Sequence, residues 1–318
     1  MSDLLALPGA VEADAPDGGV AAHYGSWTKE QRELLAGRGF VDLSQREVIA
    51  LTGPDRLTLL HALSTQDFES LQPGVKVDAL VLSPQGHIEH GFSAIDGIEL
   101  AGADATGPDT LLAHTEPGGG APLIAFLEGM KFMSRVEISA RPELAVIGLP
   151  GLDWRLVQRD ELATLPDELG APAGVLAWEA LRIAAGHPRI GLDTDHRTIP
   201  NEVGLLNLAV HLDKGCYRGQ ETVARVHTLG RPPRRLVLLH LDGSADRLPE
   251  RGSPVEVAGA PVGVVGTSAR HHELGPIALA LVKRNVDADV EVVVDGIAAS
   301  QETIVDPEVG LHVRPVLR

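Results

Sequence analysis

Apolar and polar positions along the chain fall into stretches of helical period and stretches that alternate like strands. Leu57, Leu60 and Leu63 recur at helical spacing behind Gly53-Pro54-Asp55, whose proline suits a first helical turn, and predict a helix there. Thr28 and Gln31 have the spacing of a capping box and predict a short helix ending near Gly37 and Gly39. Two more helices are expected over Pro122–Met130 and Val175–Ala185, the second closed by Gly186 and Pro188. Val77, Ala79 and Val81 alternate as a strand would, and Ser83-Pro84-Gln85-Gly86 is a turn that sends the next strand back from His87. Other strands are expected over Val48–Leu51, Arg135–Ser139 and Leu144–Gly148.

From Leu236 onward the pattern contains only short strand runs: Leu236–Leu241, Val255–Val257, Val262–Val265, Ile277–Val282 and Val290–Val294. Gly or Pro punctuates most of the intervals, which is the spacing of a small barrel or sandwich. The change of pattern falls at Arg231-Pro232-Pro233. Residues 1–22 are rich in Ala, Asp and Gly and read as a flexible leader.

Composition narrows the class. At roughly 100–200 residues per domain, 318 residues suggest two or three domains. Hydrophobic residues at 44% and charged residues at 22% exclude wholesale disorder. The single cysteine, Cys216, excludes an intramolecular disulfide and a multi-cysteine metal site built by this chain alone. The first 28 residues hold no Lys or Arg, and Pro8 interrupts the apolar Leu4–Leu7 run, so no targeting signal is read there. No apolar run approaches the ~20 residues of a membrane span. The expectation is a soluble cytoplasmic protein without a membrane partner. A net charge of −17 disfavours direct nucleic-acid binding. Walker A, G-x-G-x-x-G, G-x-S-x-G and H-E-x-x-H patterns are absent, so nucleotide-dependent and zinc-peptidase readings lose their support.

The candidate chemistry sits in Lys214-Gly215-Cys216-Tyr217-Arg218-Gly219-Gln220-Glu221. Between Lys214 and Arg235 the chain carries Lys214, Arg218, Arg225, Arg231, Arg234 and Arg235 against Glu221 alone, a local +5. Such an island attracts an anion, and nearby cations favour a cysteine thiolate. Gly215 and Gly219 permit positive φ and close approach of backbone to a ligand. The alternative is a buried cysteine in a glycine-rich turn among solvated charges. His87-Ile88-Glu89-His90 has the look of a metal cluster, but a strand points His87 and His90 to opposite faces, and no metal is expected. Trp178 is either a core residue or a platform for a flat ligand.

The segment from Lys214 to Glu221, continued by Thr222-Val223-Ala224-Arg225, resembles the K-G-C-Y-x-G-Q-E-x-x-A-R motif of the YgfZ family, folate-binding proteins related to the glycine-cleavage T-protein, an aminomethyltransferase. His23-Tyr24-Gly25-Ser26, Val41-Asp42-Leu43-Ser44, Leu51 to Arg56 and Trp178 to Gly186 extend the likeness over nearly the whole chain. The resemblance implies an α+β fold of interleaved T-protein-like parts around a central hole, with a small C-terminal β-barrel. The expected parts are a leader (1–22), a folate-binding part (23–144), a second part with the motif (145–231) and the barrel (232–318).

It also implies tetrahydrofolate as ligand and an accessory role in assembly or repair of iron–sulfur client proteins, including tRNA-modifying ones. In that role Cys216 is the functional thiol, and Lys214 and Arg218 hold its thiolate or the folate glutamate tail. Trp178 stacks on the pterin, and Tyr217, Gly219, Gln220, Glu221 and Arg225 complete the binding segment. The alternative is a tetrahydrofolate-dependent aminomethyltransferase. Against it, the T-protein's carboxylate pair is replaced by His90 and Gly91, and its pterin-anchoring Glu by Ala184.

Overall fold

The structure is a computed structural model that describes residues 2–100, 106–206 and 208–311. Its helices are α1 (Trp27–Leu35), α2 (Arg56–Leu63), α3 (Gly120–Met130), α4 (Leu165–Leu169), α5 (Val175–Ala184) and α6 (Gln220–Leu229). Four of these stand where the sequence predicts helices, while α4 and α6 are not expected. The cap of α1 is Ser26 rather than Thr28: its Oγ accepts from the Lys29 N–H at 3.4 Å. Glu30 fixes that entry by accepting the N–H groups of Tyr24 and Ser26 at 2.8 and 3.3 Å. No helix among the described residues is long and apolar enough to cross a membrane.

β1 (Val11–Glu12) and β2 (Ala21–His23) form a two-stranded pair. They are followed by β3 (Phe40–Asp42), β4 (Glu47–Thr52), β5 (Lys76–Leu82), β6 (Ile88–Asp96) and β7 (Thr110–Thr115). Then come β8 (Glu137–Ala140), β9 (Leu144–Leu149), β10 (Asp153–Gln158) and β11 (Pro172–Ala173). One sheet has the order β5-β6-β7-β4-β8 and another the order β10-β9-β3-β11. The chain ends in a closed barrel of β12 (Arg234–Leu241), β13 (Pro254–Val257), β14 (Ala260–His271), β15 (Gly275–Lys283), β16 (Val292–Val294) and β17 (Ile297–Thr303), in the order β12-β15-β14-β13-β16-β17. Inward positions alternate: Val237, Leu239 and Leu241 meet Ala278, Ala280 and Val282 in one apolar cluster. Full burial of a side chain such as Leu239 contributes about 1.5–3 kcal/mol. The fold class is therefore the expected mixture of α and β with a C-terminal barrel.

The chain divides into two compact units, Met1–Ala79 with His90–Leu181, and Leu80–Glu89 with Arg182–Arg318. This interleaving does not follow the expected boundary at 144/145, because β9 pairs with β3 across it. Nor are residues 2–22 a loose leader. Leu4 is buried in a cluster with Phe40 and Ile147, and Val20 is buried with Val41 and Trp178. Two well-placed apolar residues tie down a segment whose overall composition is that of a linker.

At the end of α5, in the second unit, Arg182 donates to Asp193 Oδ2 at 2.9 Å and to Thr267 Oγ1 at 2.6 Å. Asp193 Oδ1 accepts from the Thr267 N–H and hydroxyl, both at 2.7 Å. A Cβ on Gly266 would stand 2.3 Å from Asp193 Oδ1, so glycine is required for the carboxylate to reach the barrel strand. The charges are buried and mutually satisfied, which is the signature of a structural clamp.

Candidate functional site

The motif forms a loop, residues 214–219, that leads into α6. Gly219 adopts the left-handed conformation (φ 82°) immediately before the helix. The Gln220 N–H donates to the Tyr217 carbonyl at 3.2 Å, closing the turn. A Cβ on Gly219 would lie 2.5 Å from the Ser83 carbonyl oxygen, and one on Gly86 would lie 2.7 Å from Thr222 Cβ. The β5–β6 turn therefore sits directly on the start of α6. The close approach expected of Gly219 is real, but its partner is the Ser83–Gly86 turn. Gly215 differs: its φ is not positive, and a Cβ there would meet nothing within 4 Å.

Burial alternates along the loop. Lys214 and Tyr217 are buried at 7% and 8% exposure, whereas Cys216 between them is exposed. Lys214 Nζ lies 5.3 Å from the Tyr217 ring centroid, a cation–π contact that fastens the two anchors together. Burial pushes the Tyr217 phenol up to about 12. Arg218 reaches back to Glu89 at the base of the β-turn, with Nη1 donating to Oε2 at 2.7 Å. Both partners are about one-third exposed, so the pair contributes no more than ~1 kcal/mol. It does orient the loop. The thiol is thus held outward by neighbours that are fixed inward, and the reading of Cys216 as a buried core residue does not hold.

Four of the six cations in the island, Arg218 among them, pair with acids in three dimensions. Arg225 pairs with Glu221 one helical turn away, and Arg231 lies 3.5 Å from Glu308. Arg234 binds buried Glu202 with Nε and Nη2, both at 2.9 Å, and Asp195 with Nη1 at 2.6 Å. Burial alone would lower the Arg234 pKa, yet Glu202 and Asp195 hold it above its ordinary value. The hydrogen bond from Arg234 in turn holds Asp195 well below the usual carboxylate range. Arg235 is fully buried and donates to the Val286 carbonyl at 3.2 Å. Glu89, Asp195, Glu202 and Glu308 are distant in sequence, so a charge count within one segment does not find them.

Trp178, expected as a pterin platform, is 6% exposed and belongs to the core of the first unit. A Cβ on Gly148 would meet its ring at 2.6 Å, so Gly148 is the floor on which the indole lies. His90 in β6 packs against Phe126, with ring centroids 5.6 Å apart. No group of three or more His, Cys, Asp and Glu side chains suited to a metal ion occurs among the described residues. Gln220 is partly exposed and Glu221 exposed, on the first turn of α6.

The class of fold is that of the glycine-cleavage aminomethyltransferases. The crystal structure of aminomethyltransferase T from Bartonella henselae superposes with a TM-score of 0.77 over 96% of this chain and 97% of that one, at 19% identity. In sequence, an aminomethyltransferase of Rippkaea orientalis is 27% identical over 304 residues, 81% of each chain. The tRNA-modifying protein YgfZ of Escherichia fergusonii is 41% identical over 108 residues, 32% of each chain. An Arabidopsis thaliana protein described as a "putative transferase, chloroplastic" is 28% identical over 263 residues, which span 70% of this chain and 60% of the plant protein. No protein-family profile matches the chain. The chain is thus similar to aminomethyltransferases over most of its length and to YgfZ proteins over about a third of it.

Proposed function

We propose that this protein is an accessory factor for assembly or repair of iron–sulfur proteins, acting through the thiol of Cys216, with tetrahydrofolate as its small-molecule ligand. The observation that carries the reading is the presentation of Cys216: an exposed thiol between two buried anchors, Lys214 and Tyr217. A thiolate so placed can ligate an iron of a client's cluster, or attack a disulfide sulfur of a client to give a mixed disulfide while the client's other sulfur leaves as a thiolate. With one cysteine in the chain, any disulfide it forms joins two molecules. The clients are proteins, cytoplasmic like the chain itself, and neither nucleic acid nor membrane is a direct partner.

Three of the side chains nominated for the folate are already engaged. Trp178 is sealed against Gly148, while Arg218 and Arg225 hold carboxylates of their own chain. The chemistry proposed for Cys216 therefore includes no step through folate. The test is a strain lacking the gene, supplied with the wild-type protein or with Cys216→Ser, in which iron–sulfur enzyme activity is measured. The wild type should restore activity and Cys216→Ser, accumulating to the same level, should not. Full restoration by Cys216→Ser would remove the thiol from the account.

Aminomethyl transfer is the second reading, favoured by the 81% coverage shared with the Rippkaea orientalis enzyme. Against it, His90 and Gly91 stand where the resemblance calls for carboxylates, and the His90 ring is packed on Phe126. An assay with aminomethyl-loaded carrier protein should show no turnover. A rate near the median of enzymes, on the order of 10 per second, would install this reading in place of the first.

A further inference from the structure

The first unit contains a cavity of about 260 Å³ between the loop joining β3 to β4, the start of α3 and the turn joining β8 to β9. Three guanidinium groups line it, those of Arg46, Arg141 and Arg159. The one acid in the lining is Glu47, whose Oε2 accepts the Gly120 N–H at 2.6 Å and so caps α3. Arg141 is 6% exposed and pairs with Glu143. Arg159 donates to the carbonyls of Pro142, Ser44 and Leu144 at 2.8, 3.0 and 3.3 Å, which fix the group without neutralising it. Arg46 lies 3.4 Å from Glu116, and its Nε is buried without a hydrogen-bond partner. Gln45, also in the lining, donates through Nε2 to Asp17 at 2.9 Å and leaves its buried Oε1 without a donor.

A buried donor without an acceptor is costly, and so is a buried acceptor without a donor. One ligand bearing both an oxyanion and a hydroxyl group satisfies both. Guanidinium forks match tetrahedral oxyanions. The volume lies just under the ~300 Å³ at which sites for drug-sized ligands begin, which excludes a dinucleotide. We infer that this cavity binds a small hydroxylated phosphate ester. The phosphate lies among Arg46, Arg141 and Arg159, and a ligand hydroxyl donates to Gln45 Oε1.

Calorimetric titration of the full chain with glycerol 3-phosphate and with inorganic phosphate tests the assignment. The ester should bind one per chain and about tenfold more tightly than phosphate. Arg46→Gln should weaken both ligands by about tenfold or more. Gln45→Leu should abolish only the ester's advantage, and it keeps the test open if Arg46→Gln fails to fold. Absence of saturable ester binding, equal binding of the ester and phosphate by the wild type, or binding unchanged in the folded variants would overturn it.

Discussion

Trp178 and Cys216 are both rare residues, one of three tryptophans and the only cysteine, and both invite a functional reading in sequence. The structure separates them. Trp178 faces inward onto Gly148 and stabilises the first unit, whereas Cys216 is carried outward by a loop in the second. Rarity marks a residue as worth locating and says nothing about which way it points. Orientation is decided by neighbours: the missing side chain of Gly148 admits the indole, and the buried pair Lys214 and Tyr217 leaves the thiol no inward place.

The contrast breaks first at Trp178. Trp178→Ala should cost about 3–5 kcal/mol in denaturant unfolding, because the removed indole leaves a cavity over Gly148. A loss under ~1 kcal/mol, as for a surface platform, would reverse its assignment to the core. Arg234→Ala should cost about 3 kcal/mol, since Glu202, 1% exposed, would keep a buried charge without its cation. Unchanged stability would mean that Glu202 finds another partner and that the motif's flank is not held in this way.

Gly219→Ala should cost about 1–3 kcal/mol for the left-handed backbone and the collision with the Ser83 carbonyl oxygen. Wild-type stability in Gly219→Ala would show that the turn does not rest on α6. For Tyr217, burial raises the folded pKa to about 12 from 10. Its contribution is therefore full below pH 10 and is lost as pH rises from 10 through 12. Burial also raises Tyr24, further than Tyr217. Ultraviolet titration of the native protein should thus show little tyrosinate at pH 10.5 (about 75% ionised for a free phenol). Half of the tyrosine signal appearing near pH 10 in the wild type, and lost in Tyr217→Phe, would free Tyr217 from the loop's anchor.

Much of this fold was legible because its signals are local. Leu57, Leu60 and Leu63 gave α2, and the Gly- and Pro-punctuated apolar runs gave the barrel. Helix α6 was not, since it starts on a left-handed glycine with no capping side chain and buries Val223. Nor was the interleaving, in which residues 80–89 join the second unit through contacts that a linear reading does not contain. The site was half legible. The motif pointed to Cys216, but the positive charge around it shrinks once Glu89, Glu202 and Asp195 arrive from elsewhere in the chain to pair with Arg218 and Arg234.

The central claim is that Cys216 is displayed by its loop and carries little of the stability. It is tested most directly by alkylation of the native protein with iodoacetamide, followed by mass measurement, alongside the melting temperature of Cys216→Ser. One label per chain should form under native conditions at a rate close to that of the unfolded chain, and the variant should melt at the wild-type temperature. No labelling before unfolding, together with a lowered melting temperature in Cys216→Ser, would contradict the claim and return the cysteine to the core.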